Sequence, residues 1–379
     1  MLLYELARAL DSLGGACYET HVRSGSIGSV RRLVVKLGTG VLTDARKQLD
    51  LAQMEQLAAQ IAEQHRAGRE VLVVSSGAVG AGMGVLGYTQ RPKVLAQLQA
   101  CAAVGQVRLM ATYEALFSKR GCHVAQVLLT HDDLHDHERH LNARNTLLRL
   151  LGDGVIPIIN ENDVVSFTEL KFGDNDKLSA LVACLLPADL LAILTTVDGL
   201  IENLGARDEK LVSVVERIDE KVEKLGGGTQ SATAVGGMIA KIQAAKITTR
   251  AGIPMVIASG RKNQVLMKIL GGGPEGTLFA PQEQKLTGRK RWIAFFRQPQ
   301  GALHVDAGAK KALRDGGKSL LLPGIAKCAG EFRENEIVRI CDSNGTEFAR
   351  GIARFDSTAI KNKKLPQTVV VHRDDLVIL

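Results

Sequence analysis

The residues best suited to chemistry crowd into one stretch, "NENDVVSFTELKFGDNDKLSALVA", residues 160–183. Asp163, Asp174 and Asp176 stand beside Asn160, Asn162 and Asn175, and the stretch then becomes an apolar, helix-like run. Carboxylates accept hydrogen bonds and amides both donate and accept, so this segment offers groups of both polarities. Three other stretches carry groups that suit phosphate. "VVKLGTGVLT" runs a β-branched segment into Lys36, Leu37, Gly38, Thr39 and Gly40, where backbone N–H groups lie clear of side chains and a lysine adds charge. "VVSSGAVGAG" sets Ser75, Ser76 and Gly77 before a helix-like run, whose N-terminal partial charge favours anions. "SATAVGGMIAKIQAA" places Gly236 and Gly237 ahead of a helix and Lys241 one turn in. Two lysines converging on one phosphoryl group suit its transfer, which rests on positioning and charge neutralisation. Each stretch has a plainer reading too: a solvated turn at Lys36, a serine N-cap before the second run, and Lys241 as a solvated helix residue. None is a Walker A loop or a G-x-G-x-x-G fingerprint.

Such scattered groups need a scaffold that gathers them. Over residues 31–280, short β-branched runs alternate with longer helical stretches, the pattern of an α/β fold with an open, mostly parallel sheet sandwiched by helices. The runs are "RLVVKL", "EVLVVSS", "HVAQVLLT", "GVIPIIN", "LLAILTT" and "IPMVIAS", with helices expected over 51–67, 139–151, 178–186 and 238–251. Such sheets bind ligands beyond the carboxyl ends of their strands. "GTG", "SGAVGAG", "NEND" and "TVDG" follow four of the runs, so the acidic stretch begins at a strand end.

The rhythm stops near residues 281–291. "GALHVD", "SLLLPG", "EIVRICDSNGTEFARGIARF" and "TVVVH" read as a small β-rich domain with "DSNGT" as a hairpin turn. The expected organisation is an N-terminal extension over 1–30, with a short amphipathic helix and a Gly/Ser tether, then a catalytic domain over 31–280, a linker over 281–288 and the β-rich domain over 289–379. The net charge of +8 is concentrated in that last segment, where 17 Lys and Arg face 10 Asp and Glu. This excess reads first as a solvated face. The six cysteines show no C-x-x-C pair and no zinc spacing, which suits reduced thiols of a cytoplasmic protein with no protein-built metal site. No apolar run approaches the ~20 residues that span a bilayer. Glu5 and Arg8 interrupt the N-terminal apolar stretch, which argues against a signal peptide.

Taken in order, "VVKLGTGVLT", "SSGAVGAG", "LNARNTL", "PIINENDVV", "FGDNDKLSA", "GGMIAKIQAA" and "VHRDDL" resemble the glutamate 5-kinase branch of the amino-acid kinase family, across residues 31–379. The β-rich tail resembles the PUA module of many bacterial members. The resemblance implies ATP-dependent phosphorylation of the γ-carboxylate of L-glutamate, toward proline. By position it implies that Lys36, Lys241 and Asp176 are catalytic, with Asp176 organising the lysines. Ser76, Gly77, Asn160, Asp163, Asp174 and Asn175 would bind substrate. Gly38, Thr39, Thr195, Thr196 and the run Val235, Gly236, Gly237, Met238, Ile239, Ala240 and Lys241 would bind ATP, together with Lys36. Mg²⁺ would be held chiefly by ATP phosphates and water. Thr196 and Val235 depart from the family, which commonly has Asp and Thr there, so the nucleotide side is where this chain is expected to differ. The resemblance further implies a homo-oligomer and inhibition by proline, which shares the α-ammonium and α-carboxylate of glutamate and would overlap the 163–176 stretch. Structured RNA is the partner PUA modules take elsewhere, and it is the less favoured reading of the basic tail. The rivals are a kinase of the same fold acting on acetylglutamate, aspartate or UMP, and an RNA-binding protein with a degenerate kinase domain.

Overall fold

The computed structural model describes residues 22–44, 48–166, 175–227, 232–282, 286, 288–362 and 368–379. The chain divides into two compact units, Met1–Asp133 with Glu138–Lys285, and Leu134–His137 with Leu286–Leu379.

In the first unit, the expected β-branched runs form β1 (Arg32–Leu37), β2 (Glu70–Ser75), β3 (His123–Leu129), β4 (Val155–Glu161) and β5 (Leu190–Thr195). Short β6 (Ile201–Glu202) and β7 (Lys210–Leu211) pair with each other, and β8 (Val214–Val215), β9 (Met255–Ser259) and β10 (Thr277–Phe279) complete the set. The main sheet has eight strands in the order β3-β4-β2-β1-β5-β9-β10-β8. All its pairings are parallel except that of β9 with β10. Parallel strands covered on both faces read as unbroken apolar runs rather than alternating ones. Leu33, Val34 and Val35 of β1 are accordingly all fully buried. The chain leaves β1 for β2 on one side and later returns to β5 on the other, so a crevice opens where the order reverses. Register brings Leu37, Ser75 and Leu194 to one level, and Thr195 opposite Ser259.

Five helices frame the site and its supports: α1 (Leu51–Arg66), α2 (Ala78–Leu86), α3 (Leu95–Ser118), α4 (Asn175–Leu185) and α5 (Ala232–Arg250). Asp50 caps α1 by accepting from the Gln53 N–H at 3.1 Å. Only Lys177 of α4 is exposed, because that helix is wedged inside the unit.

Helices α2 and α3 meet backbone to backbone. A Cβ on Gly105 would lie 1.7 Å from the Ala78 carbonyl oxygen, and one on Gly82 would lie 1.8 Å from that of Cys101. No side chain can yield there, so Gly105→Ala must push the helices apart. We expect a loss of roughly 1–3 kcal/mol, the usual range for overpacking, read as a lower denaturation midpoint. An unchanged midpoint would show that the contact is looser than its geometry.

The segment expected to be a Gly/Ser tether is instead built into the unit. Residues 22–27 are helical, and Ile27 and Val30 join the main core. The reason is Arg23, whose fully buried guanidinium donates to the carbonyls of Gly273 at 3.0 Å, Glu275 at 3.1 Å, Ser213 at 2.7 Å and Gly276.

The second unit holds a five-stranded sheet made of β11 (Gly301–Val305), β13 (Ile325–Gly330), β14 (Ile337–Cys341), β15 (Glu347–Ile352) and β17 (Leu376–Ile378), in the order β13-β11-β14-β15-β17. A separate ladder pairs β12 (Leu320–Leu321) with β16 (Val369–Val371). "DSNGT" forms the expected hairpin between β14 and β15, with Gly345 at φ +83° and Asp342 accepting from the Asn344 and Thr346 N–H groups.

Candidate active site

Side chains alternate across a strand, and Val35 and Leu37 point into the main core. Lys36 therefore points the other way, toward α4, where it forms an ion pair with Asp176. Asp176 lies in the first turn of α4, where the helix dipole favours a carboxylate. Lys241 arrives from α5, its Nζ 2.8 Å from Asp176 Oδ2 and donating to the Gly237 carbonyl at 3.1 Å. All three side chains are buried, Asp176 almost completely. Burial alone would raise the Asp176 pKa, but the charges and hydrogen bonds of Lys36 and Lys241 outweigh it and take the carboxyl down to about 2. One permanent carboxylate thus spaces two ammonium groups.

Beside this clamp lies a polar network. Asn175, the first residue of α4, donates from Nδ2 to the Ser75 carbonyl at 2.6 Å and to Asn160 Oδ1 at 2.8 Å, and stands 3.2 Å from Ser76 Oγ. Asn160 Oδ1 also accepts from the Glu161 N–H, and its Nδ2 donates to Gln106 Oε1 at 2.9 Å. Gly77 turns the chain from β2 into α2 at φ +102°, a left-handed conformation that glycine adopts without strain. Asp163 is half-buried just beyond β4 and lines a cleft of about 260 Å³ with Gln106, Gln126, Leu128, Asn162 and Val164. Asn160, Asn175, Ser76 and Gly77 therefore converge, with Asp163 nearby, while Asp174 lies outside the described residues.

On the nucleotide side the structure corrects two expectations. Gly236 and Gly237 do not precede a helix: α5 starts at Ala232, so both sit inside it. Only the first four N–H groups of a helix lack internal partners, which removes these glycines as a backbone cradle. Ala-Thr-Ala-Val ahead of them extends the helix backward, since alanine is the best helix former. The side chain of Val235 lies outside what is described. The N–H of Gly38 is also not turned outward, because it donates to the Leu194 carbonyl at 3.0 Å and ties the loop after β1 to β5. Thr39 and Thr196 are exposed, and Thr195 ends β5. Met238 and Ala240 are half-buried and Ile239 is exposed on α5, beside Lys241. A Cβ on Gly40 would lie 2.8 Å from the Thr196 methyl, so the loops after β1 and β5 abut.

Residues 31–259 match the Amino acid kinase family, and residues 301–373 match the PUA domain. A glutamate 5-kinase of Moorella thermoacetica is 45% identical over 369 residues, covering 93% of this chain and 98% of its own. One of Geobacter sulfurreducens is 44% identical over 373 residues, covering 94% and 100%. The chain belongs to the amino acid kinase family, among its glutamate 5-kinases. Carbamate kinase from Giardia lamblia bound to AMP-PNP shares the fold of this family, at 20% identity and a TM-score of 0.50 over 68% of this chain and 100% of that one. Among the described residues no helix is long and apolar enough to cross a membrane, and no cluster of His, Cys, Asp or Glu could hold a metal ion.

Two supports of this kinase site were not read from the sequence. Arg261 donates to the Gly40 carbonyl at 3.0 Å and the Thr43 carbonyl at 2.7 Å and pairs with Asp50, fastening the loop after β1. Tyr113 of α3 holds Ser75 Oγ at 2.8 Å from a fully buried position, and burial pushes its phenol pKa up against the opposing pull of that hydrogen bond. Both act across long sequence separations, where no local spacing betrays them. A buried polar side chain on an apolar helix, as at Tyr113, was the one available signal.

Proposed function

We propose that this protein transfers the γ-phosphoryl group of ATP to the γ-carboxylate of L-glutamate, giving γ-glutamyl phosphate and ADP. The observation that carries this is the clamp in which Asp176 holds Lys36 and Lys241 at the crevice of the sheet. A carboxylate oxygen of glutamate bonds to the γ-phosphorus while the bond from phosphorus to the β,γ-bridging oxygen breaks and ADP leaves. The acceptor is already ionised at neutral pH, so the step needs no general base. Asp176, with its pKa down near 2 and both oxygens facing lysines, is unsuited to that duty and suited to fixing the two cations. Two ammonium groups near the transferring phosphoryl neutralise charge as it shifts toward the leaving oxygen. Mg²⁺ would supply further charge neutralisation, held by ATP phosphates and water; Asp176 is committed to the lysines, so no protein carboxylate in this clamp is free for the ion.

Recognition of glutamate falls to the neighbouring network. Both amide hydrogens of Asn175 face protein acceptors, which leaves its Oδ1 to meet a ligand donor. Asn175 Oδ1 and the Asp163 carboxylate are both acceptors, as the α-ammonium requires. The Ser76 hydroxyl and Asn160 amide can donate to the α-carboxylate. These roles support glutamate over acceptors lacking a free α-ammonium, such as acetylglutamate or UMP.

The test is glutamate-dependent ADP release, with hydroxylamine trapping the acyl phosphate, run beside aspartate, acetylglutamate and UMP. Glutamate is expected to be the acceptor used. Asp163→Ala should raise the KM for glutamate at least tenfold, about 1.4 kcal/mol, with the KM for ATP unchanged. Equal weakening of both substrates would mean that the loop has collapsed and that Asp163 has another task.

A further inference from the structure

The amide of Asn160 does two jobs that need opposite ends of one group. Its Oδ1 accepts from Asn175 Nδ2 at 2.8 Å and from the Glu161 N–H at 2.9 Å. An amide rotated by half a turn would instead present its NH2 to the NH2 of Asn175, donor against donor, and to the N–H of Glu161. The orientation of Asn160 therefore decides whether Asn175 is held. The Glu161 backbone N–H sets which end is which, and Gln106, on α3, holds the other end, its Oε1 accepting from Asn160 Nδ2 at 2.9 Å. Gln106 is itself oriented by Gln126 of β3, whose Oε1 accepts from Gln106 Nε2 at 3.3 Å.

We infer that Gln106 is a positioning residue for the amino-acid substrate, acting through Asn160 and Asn175 to set the ligand-facing acceptor on Asn175. The inference rests on the reading of this site as the glutamate site. It predicts a polarity rule: position 106 must offer an acceptor to Asn160, and an apolar residue of similar size leaves the Nδ2 end of the Asn160 amide unheld, so that the amide shifts away from Asn175. Of the three protein acceptors around Asn175 Nδ2, the Asn160 oxygen would then be held less firmly, and Asn175 Oδ1 would be less well fixed toward the substrate. The lysine clamp does not touch Gln106, so the chemical step itself is spared once glutamate is bound.

The experiment is a double-mutant cycle on the full chain with Gln106→Leu and Asn160→Ala. Gln106→Leu is expected to raise the KM for glutamate up to about tenfold, the scale of one lost hydrogen bond, with kcat and the KM for ATP within about twofold. In the Asn160→Ala background the same change should add less than about twofold, because the group through which Gln106 acts is gone. Gln106→Glu, which retains an acceptor oxygen, should lie closer to wild type than Gln106→Leu. Fully additive effects, or a KM for ATP that rises in step with that for glutamate, would overturn the inference. If Gln106→Leu lowers the melting temperature by several degrees, the cycle is read from Gln106→Met and Gln106→Glu, and an equal KM for these two overturns it as well. Failure of the functional reading looks different, since wild type would then show no glutamate-dependent turnover.

Discussion

Lys241→Ala is expected to lower kcat by roughly 10²–10³, and Lys36→Ala by a similar factor, each with little change in the KM for glutamate. The reason is where the charges are aimed. Lys36 is the penultimate residue of β1 and Lys241 comes from α5, and Asp176 pairs directly with both. Preorganised donors of this kind stabilise charge that develops only in the transition state, and losing one costs ~2.7–4 kcal/mol in comparable sites. Interactions made only in the transition state appear in kcat, whereas groups that grip the ground state appear in KM. The folded state should survive, because the remaining lysine still neutralises Asp176. Steady-state kinetics on both variants, with circular dichroism to confirm folding, decide the matter. Near-normal kcat in both would remove the lysines from the chemistry.

Those two lysines were legible in the sequence as types and as strand or helix neighbours, and the strands that carry the site were legible as unbroken β-branched runs. Parallel strands must be apolar on both faces, which makes them conspicuous. Their ends are conspicuous too, since glycine and small polar residues gather there. What local spacing could not supply was partnership, which only the family resemblance implied. Asp176 is 140 residues from Lys36 and 65 from Lys241, and nothing local in "FGDNDKLSA" says which of its carboxylates is buried. The start of α5 was also misplaced, because Gly236-Gly237 looked like a helix boundary while the helix-favouring alanines ahead of them start it at Ala232. Arg23 was hidden for the opposite reason: a lone arginine amid Gly and Ser looks solvated until four carbonyls from residues 213–276 surround it.

Asp176→Asn should be the most damaging single substitution in the site, for both stability and activity. It removes the charge that, among the described residues, pairs with the two buried ammonium groups, and breaking a buried pair this way costs about 3–5 kcal/mol because the stranded charge has no water to return to. Here two like charges are stranded together, so they also repel. Three outcomes separate this electrostatic cause from simple misfit. Adding Lys241→Met to Asp176→Asn should restore stability, by removing one stranded cation, while leaving kcat low. ATP should stabilise Asp176→Asn more than it stabilises wild type, because its phosphates supply the missing negative charge. The difference in stability should also depend on pH in a fixed direction. The wild-type carboxyl has its pKa lowered from the ordinary aspartate value of 3.8 to about 2, so its contribution is fully present above about pH 4 and is lost as pH falls through about 2. The gap between wild type and Asp176→Asn should hence stay constant from neutrality down to about pH 4 and narrow below it. A gap that widens on acidification, or a Lys241→Met change that destabilises Asp176→Asn further, would show that Asp176 stabilises the fold by packing rather than by charge.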